Sequence, residues 1–395
     1  MRLRILHVLS SPHVGGAEQV CLDLADAQRQ QGHEVRLFVF VRGGVSEDAS
    51  RLGVDFIVPE VPAEAGRGRR RSIIAACLLD VVREFLPDVV HSHVPLTHLI
   101  CNRVLPGTSV PWIATMHGSW RQFAYAPKTV GRPYLRPYLL LRHSIGDFWS
   151  TRSAARIVAP SEYVKRQLRE VGVEESRIVV IHNGLRPPEQ PITRDAARRA
   201  LAIPEGSVVI GALGHLAPVK GFDILIKAAA LLVPRHPHVR VLIGGGDVLG
   251  DDRPRRSLDD LTARLRLEDH VRLLGPVKPR EGFFSALDVF VVSSRTEGLP
   301  LSLLDAMHHG LPSVVSSTGG MVEAARPATE SLAFRSGDVC SLAPTLERLI
   351  TDSDLRGALG IAASARASTY LTLSRCAAEY DGVYLQARAS SRGSR

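Results

Sequence analysis

At 395 residues the chain is long for one core, and 45% hydrophobic side chains supply enough apolar surface for two domains of ordinary size. Basic residues exceed acidic ones by 49 to 40, so the formal charge of +9 favours polyanionic partners: nucleoside diphosphates, anionic lipid headgroups or nucleic acid. Nucleic acid ranks last and is not expected, because the sequence has no zinc-finger spacing, no RNA-binding signature and no interleaved aromatic platform.

The basic and then apolar start, MRLRILHVLSSP, differs from a secretory leader in its short apolar run and reads as a first strand. No apolar run reaches the roughly 18 residues that span a bilayer, which predicts a cytoplasmic protein that at most rests on the inner membrane face. Five widely spaced cysteines in apolar contexts predict buried thiols in a reducing compartment and supply no metal framework. Only five of the 49 basic residues are lysine, a bias that nucleotide composition alone can produce.

Leu3 to Leu9 reads as a strand that runs into Ser10-Ser-Pro-His-Val-Gly-Gly-Ala-Glu18 and then a helix. The pair Gly15 and Gly16 lets backbone N–H groups approach an anion or simply turns the chain tightly; both readings fit. Apolar runs recur at 34–41, 54–58, 88–91, 112–116, 156–159 and 178–181, separated by helical stretches such as 73–85 and 161–171. This alternation predicts a parallel sheet with helices on both faces. A polar, proline-rich break follows Asn183-Gly184, and the pattern restarts at 208–213, 239–243, 271–274, 289–292 and 313–315, with an amphipathic helix expected over Lys220–Val233. The prediction is α/β with two doubly wound domains, 1–184 and 185–370. A final helix over 371–388 packs back on the first domain, and the polar tail from Ala389 is disordered. The loop from Gly244 to Gly250 lacks the dinucleotide fingerprint in register, so a nicotinamide cofactor is not expected.

The most informative stretch runs from Ser293 to Gly320. A buried strand, Asp288 to Val292, turns through Thr296-Glu-Gly298 into a helix with Pro300 in its first turn and Leu301, Leu304 and Met307 on one face. Glu297 is thereby placed on a loop at the carboxyl end of a strand, where open α/β sheets bind ligands. Asp305 lies eight residues on, roughly 10 Å along a helix, too far for the two carboxyls to share one proton.

Six segments in this order resemble the family 4 retaining glycosyltransferases over Leu3 to about Gln386: Gly15-Gly-Ala-Glu18, Asp88-Val-Val-His-Ser-His93, Thr115-Met-His-Gly118, Ile181-His-Asn-Gly184, Gly214-His-Leu-Ala-Pro-Val-Lys-Gly221 and Glu297-Gly-Leu-Pro-Leu-Ser-Leu-Leu-Asp305. The last is similar to the family's E-x7-E motif with Asp in second place. The resemblance implies the GT-B fold, two Rossmann-like domains facing across a cleft, and transfer of a sugar from a nucleoside-diphosphate sugar with retention and without a metal or other cofactor. It implies Glu297, His117 and Lys220 as catalytic residues. It also implies donor contacts from Gly15, Gly16, Asn183, His215, Gly298, Leu299, Asp305, Gly319 and Gly320. Asp305 would hold the ribose hydroxyls, and Lys220 would face the diphosphate. His215 stands where the family usually has arginine, so a single titratable hydrogen-bonding group replaces a permanent fork.

On the acceptor side, the basic loop containing Arg69, Arg70 and Arg71 and the stretch from Trp120 and Arg121 to Trp149 mix cations with aromatic residues, as an anionic membrane surface or lipid-linked acceptor selects. An ordinary solvated arginine-rich surface is the competing reading. His91 and His93, two apart at a strand end, invite a metal, but the sequence offers no convincing further ligands. The expected activity is hexosyl transfer from a UDP-sugar, with GDP-mannose the second candidate, to a glycan or lipid-linked acceptor in cell-surface polysaccharide or glycolipid synthesis. The alternatives on the same fold are a nucleotide-sugar epimerase and a non-catalytic binding protein.

Overall fold

The computed structural model describes residues 1–118, 121, 125, 139, 146, 148–188, 192–246, 252–278 and 280–393. Trp120, most of the basic and aromatic stretch that follows it, and the glycine-rich loop beyond Gly246 lie outside the described residues. The chain divides into two compact units: Met1–Trp120 with Leu141–Gly184 and Leu373–Arg395, and Arg121–Leu140 with Leu185–Thr372.

In the first unit the strands are β1 (Arg4–Leu9), β2 (Glu34–Val39), β3 (Asp55–Ile57), β4 (Val89–Ser92), β5 (Trp112–Thr115), β6 (Arg156–Ala159) and β7 (Ile178–Val180). They form one parallel sheet in the order β3-β2-β1-β4-β5-β6-β7. Alternate residues face opposite layers. Ile5 and Leu9 pack with the helices Gly16–Gln30 and Leu373–Gly393, while Leu6 and Val8 pack with the helices Arg67–Phe85 and Pro95–Val104. The same alternation puts His7 on the Ile5 side, and the parallel register sets it beside His91.

The second sheet contains β8 (Val208–Leu213), β9 (Val239–Gly244), β10 (Val271–Gly275), β11 (Val289–Val292), β12 (Ser313–Ser316) and β13 (Ser331–Phe334), in the order β10-β9-β8-β11-β12-β13. Both orders reverse direction once, between β1 and β4 and between β8 and β11. There the connections leave to opposite sides and open a crevice at the strands' carboxyl ends. No helix among the described residues is long and apolar enough to cross a membrane.

Five expectations are corrected: first, the thiols are not all buried, since Cys340, on the surface of the helix Val339–Thr351, is exposed. β13 was not expected. Its four residues are too short to show a period, and it is a strand because it pairs with β12 from Ser313↔Ser331 to Ser316↔Phe334. The segment Arg69 to Arg71 is not a loop: the helix Arg67–Phe85 already includes it, with these arginines exposed. Cations are disfavoured in a first helical turn, and here the apolar face formed by Ile74, Leu78 and Val82 outweighs them. Lys220 does not open the following helix; it ends a 3-10 turn, Pro218–Lys220, before the helix Phe222–Leu232. The tail is not disordered from Ala389, because the last helix continues to Gly393 and Arg388 Nη2 anchors it to Asp88 Oδ1 at 2.8 Å.

Asp288, at the foot of β11, ties the start of the second unit to its sheet. It accepts from Arg194, from Arg198 Nη2 at 2.6 Å and from the Val209 backbone N–H at 2.7 Å. Removing one partner of a buried charge group strands the others. Asp288→Ala is therefore expected to destabilise the second unit by about 3 kcal/mol, read as a lower urea midpoint with the first unit's transition unchanged.

Candidate active site

The loop after β8 and the loop after β11 meet at the strand reversal of the second sheet. Gly221 has φ +66°, and a Cβ there would lie 2.2 Å from the Ser293 carbonyl oxygen, so only glycine allows the two loops to close. They are stitched by the Arg295 backbone N–H to Val219 O at 2.7 Å and by Ser293 Oγ to Lys220 O at 3.0 Å. Arg295 adds a forked pair to Asp223, at 2.9 and 2.8 Å, and a bond to Pro218 O. Its guanidinium carbon also lies 5.8 Å from the centre of the Tyr125 ring.

This frame brings Lys220 and Glu297 together. Lys220 Nζ lies 2.5 Å from Glu297 Oε1, and Ser294 Oγ donates to the same oxygen at 2.9 Å. With side-chain exposures of 23% and 15%, the pair is only partly screened by water. Gly319, at φ +69°, lets the next loop pass under Glu297, because a Cβ would sit 2.4 Å from the Glu297 carbonyl oxygen. The Gly320 N–H donates to that oxygen at 3.3 Å. Gly298 and Leu299 are buried behind it. His215 reaches solvent on the β8 loop, yet partial loss of hydration and then the Lys220 ammonium lower its pKa, with Glu297 pulling the other way.

Asp305 is on the helix Leu301–His308 that leaves the Glu297 loop, and it is engaged by Arg280 Nη1 at 2.7 Å. Burial raises its pKa to about 6 against the opposing pull of Arg280, and Glu281 adds to the rise. Arg280 and Arg295 were not singled out from the sequence. Both partners lie far along the chain or on another element, so no local spacing announces them.

In the first unit, Gly15 caps the helix Gly16–Gln30, and its N–H donates to Glu18 Oε2 at 3.1 Å. A Cβ on Gly16 would meet nothing within 4 Å, and its φ is not positive, so neither packing nor a tight turn demands this glycine. Asn183 is buried just past β7. His117 follows β5 and is half-buried; its Nε2 lies 3.2 Å from His93 Nδ1. His93 Nε2 lies 2.9 Å from His7 Nδ1, and His7 Nε2 lies 2.9 Å from Gln28 Oε1. Burial lowers the pKa of His7 and of His117 to about 4 and that of His91 and His93 well below the ordinary value.

His7, hidden within the first strand in the sequence, is the third member of the trio His7, His91 and His93, whose ligand atoms lie within 4.8 Å of one another. Those nitrogens are already engaged. His7 bonds His93, and His91 bonds the Tyr384 hydroxyl at 2.6 Å and Thr115 Oγ1 at 2.7 Å. His7 and His93 therefore hold each other, Tyr384 and Thr115 hold His91, and among the described residues no carboxylate joins the trio.

With this geometry in place, the comparisons decide the family. Residues 14–187 match the model for Glycosyltransferase Family 4, and residues 193–366 match that for Glycosyl transferases group 1. The chain belongs to the family 4 glycosyltransferases. This glycosyltransferase is 26% identical over 390 residues to D-inositol 3-phosphate glycosyltransferase of Streptomyces scabiei, covering 92% of this chain and 85% of the relative. It is 28% identical over 395 residues to the protein of that name from Nocardia farcinica, covering 93% and 86%. Among solved structures it resembles Anabaena HepE in complex with UDP and glucose, with a TM-score of 0.84 and 20% identity over 97% of this chain and 99% of that one. It also resembles sucrose-phosphate synthase from Thermosynechococcus elongatus, with a TM-score of 0.81 and 19% identity over 98% and 100%. The fold is GT-B, and the enzyme is a glycosyltransferase, which disfavours the epimerase and non-catalytic alternatives.

The raised pKa of Asp305 carries a stability consequence with a definite sign. A carboxyl whose folded-state pKa lies above its unfolded value adds stability that is complete below about pH 4 and is lost as pH rises through about 6. Scanning Tm from about pH 4.5 to about pH 7.5 should show wild type losing stability relative to Asp305→Asn up to about pH 6, with a constant difference above it. A constant difference across the window would contradict the burial of Asp305.

Proposed function

We propose that this glycosyltransferase moves a sugar from a nucleoside-diphosphate sugar, a UDP-sugar before GDP-mannose, with retention of anomeric configuration and without a metal. The acceptor is a glycan or lipid-linked glycan at the cytoplasmic membrane face, where the exposed Arg69, Arg70 and Arg71 and the basic Arg121 region would meet anionic headgroups. The relatives' name favours a second acceptor, a phosphorylated cyclitol, whose phosphate suits exposed arginines. The complexes of HepE with UDP and with UDP-glucose support the choice of base.

The observation that carries the reading is the contact of Lys220 with Glu297 at the strand reversal. As the bond from the sugar to the diphosphate breaks, negative charge grows on the leaving phosphate and positive charge on the sugar ring. Lys220 has three N–H donors and, among the described residues, gives one to Glu297, so two remain there for phosphate oxygens. The Glu297 carboxylate, held by Lys220 and Ser294, meets the donor sugar hydroxyls. Asp305, when ionised, accepts the two ribose hydroxyls. Gly15, Gly16, Gly319 and Gly320 let backbone N–H groups approach the donor closely. His117 accepts a hydrogen bond from the sugar.

Glu297→Gln is expected to lower turnover by at least about a hundredfold with the fold intact, because a full charge in a largely dry site acts mainly on the transition state. The assay pairs UDP-glucose and GDP-mannose with glycan, lipid-linked and cyclitol-phosphate acceptors, with and without a chelator. Near wild-type turnover in the folded variant, or turnover abolished by the chelator, would refute the proposed role or the metal-free mechanism respectively.

His215 generates a pH prediction. A bound diphosphate favours the imidazolium, so it raises the bound-state pKa of His215 above its lowered free value. Nucleotide affinity then gains as pH falls through the bound-state pKa and levels off below the free one. His215→Arg should strengthen UDP binding more at about pH 8 than at about pH 6. Calorimetry on both proteins at both pH values tests this, and the variant-to-wild-type ratio cancels the titration of Asp305 common to both. An equal ratio at the two pH values removes His215 from the phosphate site.

A further inference from the structure

The imidazole of His117 can carry its proton on either ring nitrogen, and the neighbours of the chain leading to it decide which. Asp381, on the C-terminal helix Leu373–Gly393, is the fixed end. Its Oδ2 accepts from His33 Nε2 at 3.1 Å, and His33 Nδ1 accepts the Leu3 backbone N–H at 3.0 Å, which leaves His33 no other arrangement. Its Oδ1 accepts from Gln28 Nε2 at 3.2 Å. A carboxylate only accepts, so the Gln28 amide must turn its nitrogen to Asp381 and its oxygen to His7.

Each later link follows from the one before. The amide oxygen of Gln28 accepts, so His7 carries its proton on Nε2 and offers a lone pair at Nδ1. His93 must then donate from Nε2 to His7 Nδ1, which leaves its own Nδ1 as an acceptor. His117 must donate from Nε2 to His93 Nδ1, and its remaining nitrogen, Nδ1, then carries a lone pair in place of a proton. Complete burial of His7 and His93 keeps both neutral, a condition that such a one-way chain requires. A parallel branch runs from Gln28 to the Tyr384 hydroxyl, on to His91 Nδ1, and from His91 Nε2 to Thr115 Oγ1, which also bonds the Tyr380 hydroxyl at 3.1 Å. Both branches are set by the orientation of one amide.

We propose that Asp381, Gln28, His7 and His93 are positioning residues that hold His117 in the Nε2–H tautomer and so present a hydrogen-bond acceptor, Nδ1, to the donor sugar. The catalytic use rests on the glycosyl-transfer reading above; the tautomer itself does not. An acceptor nitrogen turns the negative end of the imidazole dipole toward the sugar, where positive charge develops as the leaving group departs. The opposite tautomer would turn an N–H toward that charge.

Asp381→Asn tests this with almost no change in shape. His33 still needs an acceptor, so the new amide must place its oxygen toward His33 and its nitrogen toward Gln28. Gln28 then flips, and His7, His93 and His117 each move their proton to the other nitrogen with every hydrogen bond kept. Two-bond proton–nitrogen correlation spectra of the ¹⁵N-histidine-labelled full chain read the tautomers directly, with His117 assigned by its loss in His117→Gln. The expected result is a proton on His117 Nε2 in wild type and on Nδ1 in Asp381→Asn, with kcat at least about tenfold lower and UDP affinity unchanged. A proton on His117 Nδ1 in wild type overturns the relay, and this measurement needs no variant to fold. The same tautomer in both proteins, or a stoichiometric metal ion held by the histidine trio in elemental analysis, overturns it as well. Reversed tautomers with unchanged kcat would overturn the catalytic use, while glycosyl transfer by the wild type would leave the family's activity intact.

Discussion

A parallel sheet spends its backbone hydrogen bonds between strands, so the polar groups left to meet a ligand lie at strand ends, and crossover connections crowd every such end except where the strand order reverses. Each unit of this enzyme has such an opening in its own sheet. In the second, β8 and β11 lie side by side, and their following loops carry Lys220 and Glu297. Two strands distant in sequence thus supply opposite charges to one point, and Gly221 removes the side chain that would hold the loops apart. In the first, β1 and β4 are the reversing pair, and they supply His7 and His91 to a layer that would otherwise be apolar.

That layer is unusual in its cost. Four imidazoles, an amide, two phenols and a threonine share space with Ile5, Leu24 and Ala377, and burying each polar group unpaired would cost about 1–3 kcal/mol. The network is tolerated because the partners are matched one to one. Such matching makes the layer intolerant of piecemeal change: a single nonpolar substitution strands the next donor or acceptor in line. It also ties the last helix to the first strand through Asp381, Gln28 and His33, residues separated by up to 353 positions.

Much of this was legible in the sequence, for physical reasons. Strands buried on both faces are continuous apolar runs, and twelve of the thirteen described strands stand out against polar turns. Glu297 was legible because a strand, a turn, a proline and an apolar helix face fall in immediate succession around it. What escaped depends on contacts between distant elements. β13 is defined by its partner, the helical start at Arg67 by the face it buries, and Arg280 by the carboxyl it reaches. His7 escaped because a histidine inside a strand reads as an ordinary buried residue until the register sets it against His91.

The two departures from the family pattern, His215 and Asp305, acquire a joint meaning from the placement of the arginines. Arg295, two positions before Glu297, is committed to Asp223 and Pro218, so its charge braces the loops and is not offered to a phosphate. Arg280 is committed to Asp305. Of the cations on the two loops, the ammonium of Lys220 is the permanent charge with donors in hand, and His215 adds a second charge only when protonated. Asp305 shifts the opposite way, since burial lets its carboxyl lose its proton only at about pH 6, and the proposed ribose contact needs the ionised form. One group gains its binding form as pH falls and the other as pH rises. Under the proposed donor reading, an arginine and a low-pKa acid would leave nucleotide binding indifferent to pH near neutrality, whereas His215 and Asp305 make the phosphate end and the ribose end respond to pH in opposite senses.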